Sequence, residues 1–147
     1  MSIYSKLLRP LLFCFDPEKV HDWTIRACEV MGPIQSVRRA MQSLYGFSDK
    51  RLEMELCGIS FPNPVGLAAG YDKNGRTIEA MAALGFGYLE IGSISADRSE
   101  GNLKPRLFRI PLDRAIVVNY GLPNDGAEAV AARLSLKRPL VPLGINI

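Results

Sequence analysis

The chain has 147 residues and a mass of 16.2 kDa, of which 48% are hydrophobic and 22% charged. This composition excludes wholesale disorder, and the length allows one ordinary domain but not a complete eight-stranded barrel, which needs about 250 residues. The net charge is +3 and resides in residues 1–51, with eight Lys/Arg against five Asp/Glu; that third is apolar rather than dense in Lys/Arg, which argues against nucleic acid and fits an anionic lipid surface better.

Residues 1–48 read as short amphipathic helices. Ile3, Tyr4, Leu7, Leu8, Leu11, Leu12 and Phe15 recur near the helical period. Arg9 and Pro10 interrupt this run, which is far shorter than the roughly 20 residues that span a bilayer. Asp16 caps a second helix with Pro17 at its first position, and Val20, Trp23, Ala27, Val30 and Met31 form its apolar face. Gly32-Pro33 ends it, and a third helix carries Ile34, Val37, Met41 and Leu44. The apolar surface exceeds what three short helices need. It either packs on the next domain or stays open as a membrane or lipid-like patch.

The period then changes. Residues 51–57 alternate as a strand, Gly58 makes a turn, and Ile59-Ser60-Phe61 return as a hairpin. NPVGLAAG at 63–70 is a buried strand, 75–85 a helix with Ile78, Met81, Ala82 and Leu84 inward, and 87–92 a second buried strand. Strand, helix, strand at this spacing predicts parallel pairing. A hairpin follows near 106–110 and 114–118. A helix over 124–137, capped by Asn124 or Asp125 and ended by Pro139, leads to a third buried strand at 140–147.

The strand ends share one rim: Ala68-Ala69-Gly70, Gly92-Ser93 and Asn146. Parallel α/β folds place ligand sites there, and small residues admit a flat cofactor to the backbone. Neither a GxGxxG fingerprint nor a GxxxxGK[ST] loop is present. Lys73 either neutralises an anion at the rim or pairs with Asp72. Cys14, Cys28 and Cys57 have no zinc spacing, and His21 is the single histidine, so no metal site is expected.

The ordered segments NPVGLAAGYDKNG (63–75), GFGYLEIGS (85–93), GNLKPRLFR (101–109) and GINI (144–147), with FDPEKVHDWT at 15–24, resemble membrane-associated class 2 dihydroorotate dehydrogenase. The resemblance implies the first three strands of a (β/α)8 TIM barrel over 49–147, preceded by a helical membrane-association and quinone-tunnel domain over 1–48. It implies FMN held by Ala69, Gly70, Lys73, Ser93 and Asn146. Dihydroorotate or orotate would meet Lys73 and the loop residues Asn119, Tyr120, Gly121, Leu122 and Asn124. His21 and Arg109 would line the path of a membrane quinone. The chain would sit peripherally on the cytoplasmic side of the inner membrane.

Two departures qualify the resemblance. VNYGLPNDG at 118–126 has Val118 and Leu122 where the family has asparagine and phenylalanine. The family's base, a serine, falls beyond Ile147, so no catalytic residue is assigned within the chain. The 147 residues are therefore expected to be an N-terminal half that neither holds FMN tightly nor turns over without the other half. Two alternatives use the same residues: another FMN oxidoreductase of this barrel class, and a non-catalytic membrane-peripheral or protein-binding module.

Overall fold

The computed structural model describes residues 4–137 and 139–147. Ile3, placed by its periodicity in the first helix, lies outside the described residues. A π-helical turn over Tyr4–Leu8 runs into α1 (Arg9–Phe13), followed by α2 (Pro17–Met31) and α3 (Gln35–Tyr45). The start of α2 is as the sequence implies: Asp16 accepts a hydrogen bond from Lys19 N at 2.9 Å, and Pro17 occupies a position whose N–H has no intrahelical partner. Gly32 closes the helix, donating its N–H to the Cys28 carbonyl at 2.8 Å.

Val20 is buried, but the rest of the apolar face expected of α2 does not point inward. Trp23 is 47% and Val30 70% exposed, and Met31 is exposed as well. The opposite stripe, Glu18, His21, Ile25 and Cys28 at helical spacing, turns toward the barrel strands instead. Polar partners on the barrel side account for this reversal, as described below. In α3, Val37 and Met41 are half-buried, whereas Ile34 and Leu44 are exposed.

A small antiparallel hairpin follows, β1 (Met54–Leu56) and β2 (Ile59–Phe61), paired Met54 to Phe61 and Leu56 to Ile59. Cys57 and Gly58 both take left-handed φ, as a tight two-residue turn requires. The expected strand at 63–70 shortens to β3 (Gly66–Leu67). Asn63 consumes the chain before it, donating to the Gly85 carbonyl and accepting from Val65 N, both at 3.0 Å.

Helix α4 (Ile78–Ala83) and strand β4 (Tyr88–Ile91) complete the first β/α/β unit. Strands β5 (Leu107–Ile110) and β6 (Ala115–Val118) form the predicted hairpin. Helix α5 (Ala127–Ser135) precedes β7 (Leu143–Ile145). Gly126, not Asn124 or Asp125, occupies the cap position of α5, and the helix ends before Pro139. The three parallel strands lie in the order β3-β4-β7, with Leu67 opposite Leu89 and Leu89 opposite Leu143.

Central β4 buries Leu89 and Ile91 against Ile78 and Met81 of α4 and Val130 of α5. Helix–strand packing on a parallel sheet keeps apolar side chains dry while every interior backbone group finds a ladder partner. The result is a small helical region followed by the opening strands of a (β/α)8 barrel.

Candidate functional site

The rim beyond the parallel strands is built largely from backbone. Gly70 N donates to the Gly92 carbonyl at 2.9 Å, and Gly92 N to the Asp72 carbonyl at 3.1 Å. Asn146 N donates to Ile91 O, and Ile94 N to Asn146 O, each at 2.9 Å. Gly92 has φ +112°, and a Cβ there would collide with the Asn146 carbonyl, so only glycine lets the ends of β4 and β7 meet. Gly70 has φ +106°, and a Cβ there would enter open space. The backbone at Gly70 is thus bare on this side.

Ala69, Gly70, Lys73, Gly92, Ser93, Val118, Tyr120, Leu122 and Pro123 surround a cavity of about 350 Å³. Asn146 is linked to it through Ser93, whose hydroxyl donates to the Asn146 side-chain oxygen. The structure therefore gathers all five residues expected at a cofactor. A bare glycine backbone, a cation, a hydroxyl–amide pair and apolar walls form a donor set suited to a flat, electron-rich ring.

Asp72 is not the partner of Lys73. Buried at 3% exposure, it accepts from Asn74 N, Arg76 N, Thr77 N and the Thr77 hydroxyl, and so braces the turn into α4. Lys73 donates to the Gly70 carbonyl at 2.8 Å and lies 4.3 Å from the Tyr120 ring centre. Among the described residues no carboxylate comes within ion-pair distance of it. Burial pulls its ammonium below the usual lysine range, against the opposing fields of Glu18 and Asp22. Burial, reinforced by Glu18 and Asp22, pushes the Tyr120 phenol up to about 12.

The loop after β6 divides its residues. Tyr120 and Leu122 face the cavity. Asn119 turns away: its side-chain oxygen accepts from Asn102 Nδ2 at 2.8 Å. Gly121 abuts Asn102, which a Cβ would strike. Asn124 is buried and used up, donating to the Ser95 hydroxyl and Leu122 carbonyl and accepting from Ser95 N and Gly126 N. Its amide holds the loop in shape.

A second, charged cavity of about 350 Å³ lies between α2 and the rim. It shares Lys73, Tyr120 and Pro123 with the first, and His21, Asp22, Arg26 and Arg98 also line it. His21 packs edge-on against Tyr71 with ring centres 5.4 Å apart. Burial and the Lys73 charge hold its imidazole below the usual histidine range. Arg109, by contrast, reaches α1 from β5: it donates to the Phe15 carbonyl at 2.9 Å, and its guanidinium lies 4.5 Å from the Phe13 ring centre. His21 and Arg109 thus mark two separate contacts of the helical region with the barrel strands.

Sequence reasoning missed the strongest of these contacts. Arg106 and Glu18 are 88 residues apart and form a buried pair, with Arg106 Nη2 and Nε at 2.8 and 3.1 Å from Glu18 Oε1. Lys104 adds an ion pair at 3.1 Å. Burial works to raise the Glu18 pKa, but hydrogen bonds and charge from Arg106 and Lys104 outweigh it and hold the carboxyl below its usual range. No local motif announces a pair so distant in sequence.

Comparison with known proteins agrees with this arrangement. The dihydroorotate dehydrogenase family model matches residues 51–147. The dihydroorotate dehydrogenase (quinone) of Acidithiobacillus ferrooxidans is 46% identical over 96% of this chain and 39% of its own length. That of Gloeobacter violaceus is 44% identical over the whole chain and 41% of its own length. The structure of ligand-free DHODH from Eimeria tenella superposes with a TM-score of 0.73 at 34% identity, covering 90% of this chain and 37% of that one. The chain thus spans about two fifths of the length of the curated relatives it matches. With the family model covering residues 51–147 and relatives above 40% identical along almost the whole chain, the chain belongs to the dihydroorotate dehydrogenase family.

Proposed function

We propose that this chain carries part of the cofactor and substrate rim of a quinone-linked dihydroorotate dehydrogenase, which oxidises dihydroorotate to orotate in pyrimidine biosynthesis. The observation that carries the reading is Lys73: a half-buried ammonium without a carboxylate partner, in a cavity whose other side is bare glycine backbone. Bound FMN would supply the two-electron redox chemistry.

The chain's own residues bind and orient. Ala69 and Gly70 give the ring close access to backbone, Ser93 and Asn146 present a hydroxyl–amide pair, and Lys73 offsets negative charge on ring or substrate. Lys73 and Leu122 meet the substrate, the Tyr120 ring stands against Lys73, and Asn119, Gly121 and Asn124 shape the loop. His21 and Arg109 lie toward the quinone. Residues 1–48 form the quinone-side domain and residues 49–147 the barrel portion. No helix among the described residues is long and apolar enough to cross a membrane. The exposed Leu7, Leu11, Trp23 and Val30 suit a peripheral contact with the cytoplasmic face of the inner membrane.

The test is dihydroorotate-dependent reduction of a ubiquinone analogue by the full-length enzyme. Lys73→Met should lower kcat/KM by roughly 10²–10³. Wild-type turnover by that variant would remove Lys73 from the site. A second reading, another FMN oxidoreductase of the same class, is favoured by the apolar wall of Val118, Leu122 and Pro123. Failure of orotate to bind the flavin-loaded enzyme would select it.

A further inference from the structure

Lys73 presents its charge to both cavities, yet its one described hydrogen bond, to the Gly70 carbonyl, does little to fix a flexible four-carbon side chain. What confines it is the Tyr120 ring. That ring serves two cations: Lys73 Nζ lies 4.3 Å and Arg106 Cζ 5.2 Å from its centre. Arg106 cannot drift. It is buried, grips Glu18 through two nitrogens, and donates to the carbonyls of Glu100 at 2.6 Å and Asn102 at 2.9 Å. Glu18 in turn stands in the first turn of α2.

We propose that Glu18, Arg106 and Tyr120 form a positioning relay, through which the docking of α2 on the barrel sets where the Lys73 ammonium stands for an anionic ligand. The relay runs from a helix of the N-terminal region to a rim residue by an ion pair and two cation–ring contacts. Each link lowers the freedom of the next, so that the anion meets a charge already in place rather than one that must be ordered on binding. The charged and titratable groups around Lys73 are Glu18, His21 and Asp22 from α2, Asp72 from the rim turn, and Arg106 from the loop before β5. Tyr120 and Glu18 are positioning residues here, acting through Lys73. The inference rests on the proposed function only in taking the ligand to be orotate.

The test uses the full-length enzyme with lysines 13C-methylated reductively and the Lys73 methyl signal assigned from Lys73→Arg. Methyl groups this close to an aromatic ring resonate upfield. Tyr120→Phe should keep that shift, and Tyr120→Leu should abolish it. Glu18→Gln, which touches neither Lys73 nor the ring, should diminish it. In parallel, flavin absorbance during orotate titration should show Kd rising about tenfold in Tyr120→Leu and staying within about twofold of wild type in Tyr120→Phe.

Arg106 itself is left intact, because its removal strands a buried carboxylate. If Glu18→Gln loses helical circular dichroism, Tyr120→Leu decides alone. An unchanged Lys73 shift in a folded Glu18→Gln protein, or an unchanged orotate Kd in Tyr120→Leu, overturns the relay. If wild-type enzyme fails to bind orotate, the substrate assignment fails, and the methyl shift alone judges the relay.

Discussion

Replacing Arg106 by methionine tests the junction between the helical region and the barrel strands most severely. The Arg106 and Glu18 side chains are 8% and 9% exposed, so each charge relies mainly on the other rather than on water. Methionine keeps much of the side-chain volume but removes every donor. Glu18 is left with Lys104, whose side chain is 62% exposed and holds one oxygen at 3.1 Å. Breaking a buried pair from one side typically costs about 3–5 kcal/mol. The Glu100 and Asn102 carbonyls also lose a charged donor, at about 1 kcal/mol or more where water does not replace it.

The expected loss of about 4–6 kcal/mol is comparable to the entire stability of many domains, about 5–15 kcal/mol. Urea denaturation of wild type, Arg106→Met, Glu18→Met and the double variant measures it. The double variant should be less destabilised than the sum of the single ones by about 2–3 kcal/mol, because removing the second charge relieves the first defect. Additivity within about 0.5 kcal/mol would show that the pair is not coupled and refute the reasoning.

Asp72→Asn replaces an acceptor-only group with one carrying an N–H₂ beside four donors, and should lower stability by about 2–3 kcal/mol in a thermal melt. Gly92→Ala should cost more than about 2 kcal/mol, since its methyl meets the Asn146 carbonyl and its φ is left-handed; an unchanged melting temperature would mean that β4 and β7 do not meet as described. Glu18 and Asp125 both have depressed carboxyl pKa values, the latter with burial opposing and hydrogen bonds and charge from Arg76 and Arg133 prevailing. Their contributions are therefore complete above the ordinary carboxylate pKa of about 4 and vanish as pH falls through the folded values, which pH-dependent urea midpoints will show. Tyr120, raised to about 12, works in the other direction: stability should fall as pH rises above the ordinary tyrosine value of about 10. A late phenolate absorbance step at 295 nm, missing in Tyr120→Phe, identifies it.

Local rules made the element order legible. Asp16-Pro17 starts α2 and Gly32 ends it because cap and φ preferences act over a few residues. Strand, helix, strand in 63–92 implies parallel pairing because the intervening helix returns the chain to the starting end of the sheet. The rim residues Gly70, Lys73, Ser93 and Asn146 were legible for the same reason, each following a strand end. Periodicity identified an apolar stripe on α2 but not the side on which it would lie. Trp23 and Val30 face outward because the opposite stripe, with Glu18 and His21, finds Arg106 and Tyr71 on the barrel side.

The helices, strands, hairpins and small-residue rim follow from residues close together in the chain, since turn chemistry and hydrophobic period are local. Which polar groups meet depends on the packed fold. It gave the Asn119 and Asn124 amides partners within the loop and its neighbours, assigned Asp72 to backbone rather than to Lys73, and joined Glu18 to Arg106. The physical reason is that a buried charge or amide takes whichever partner the fold brings within about 3 Å, and that partner can lie anywhere in the sequence.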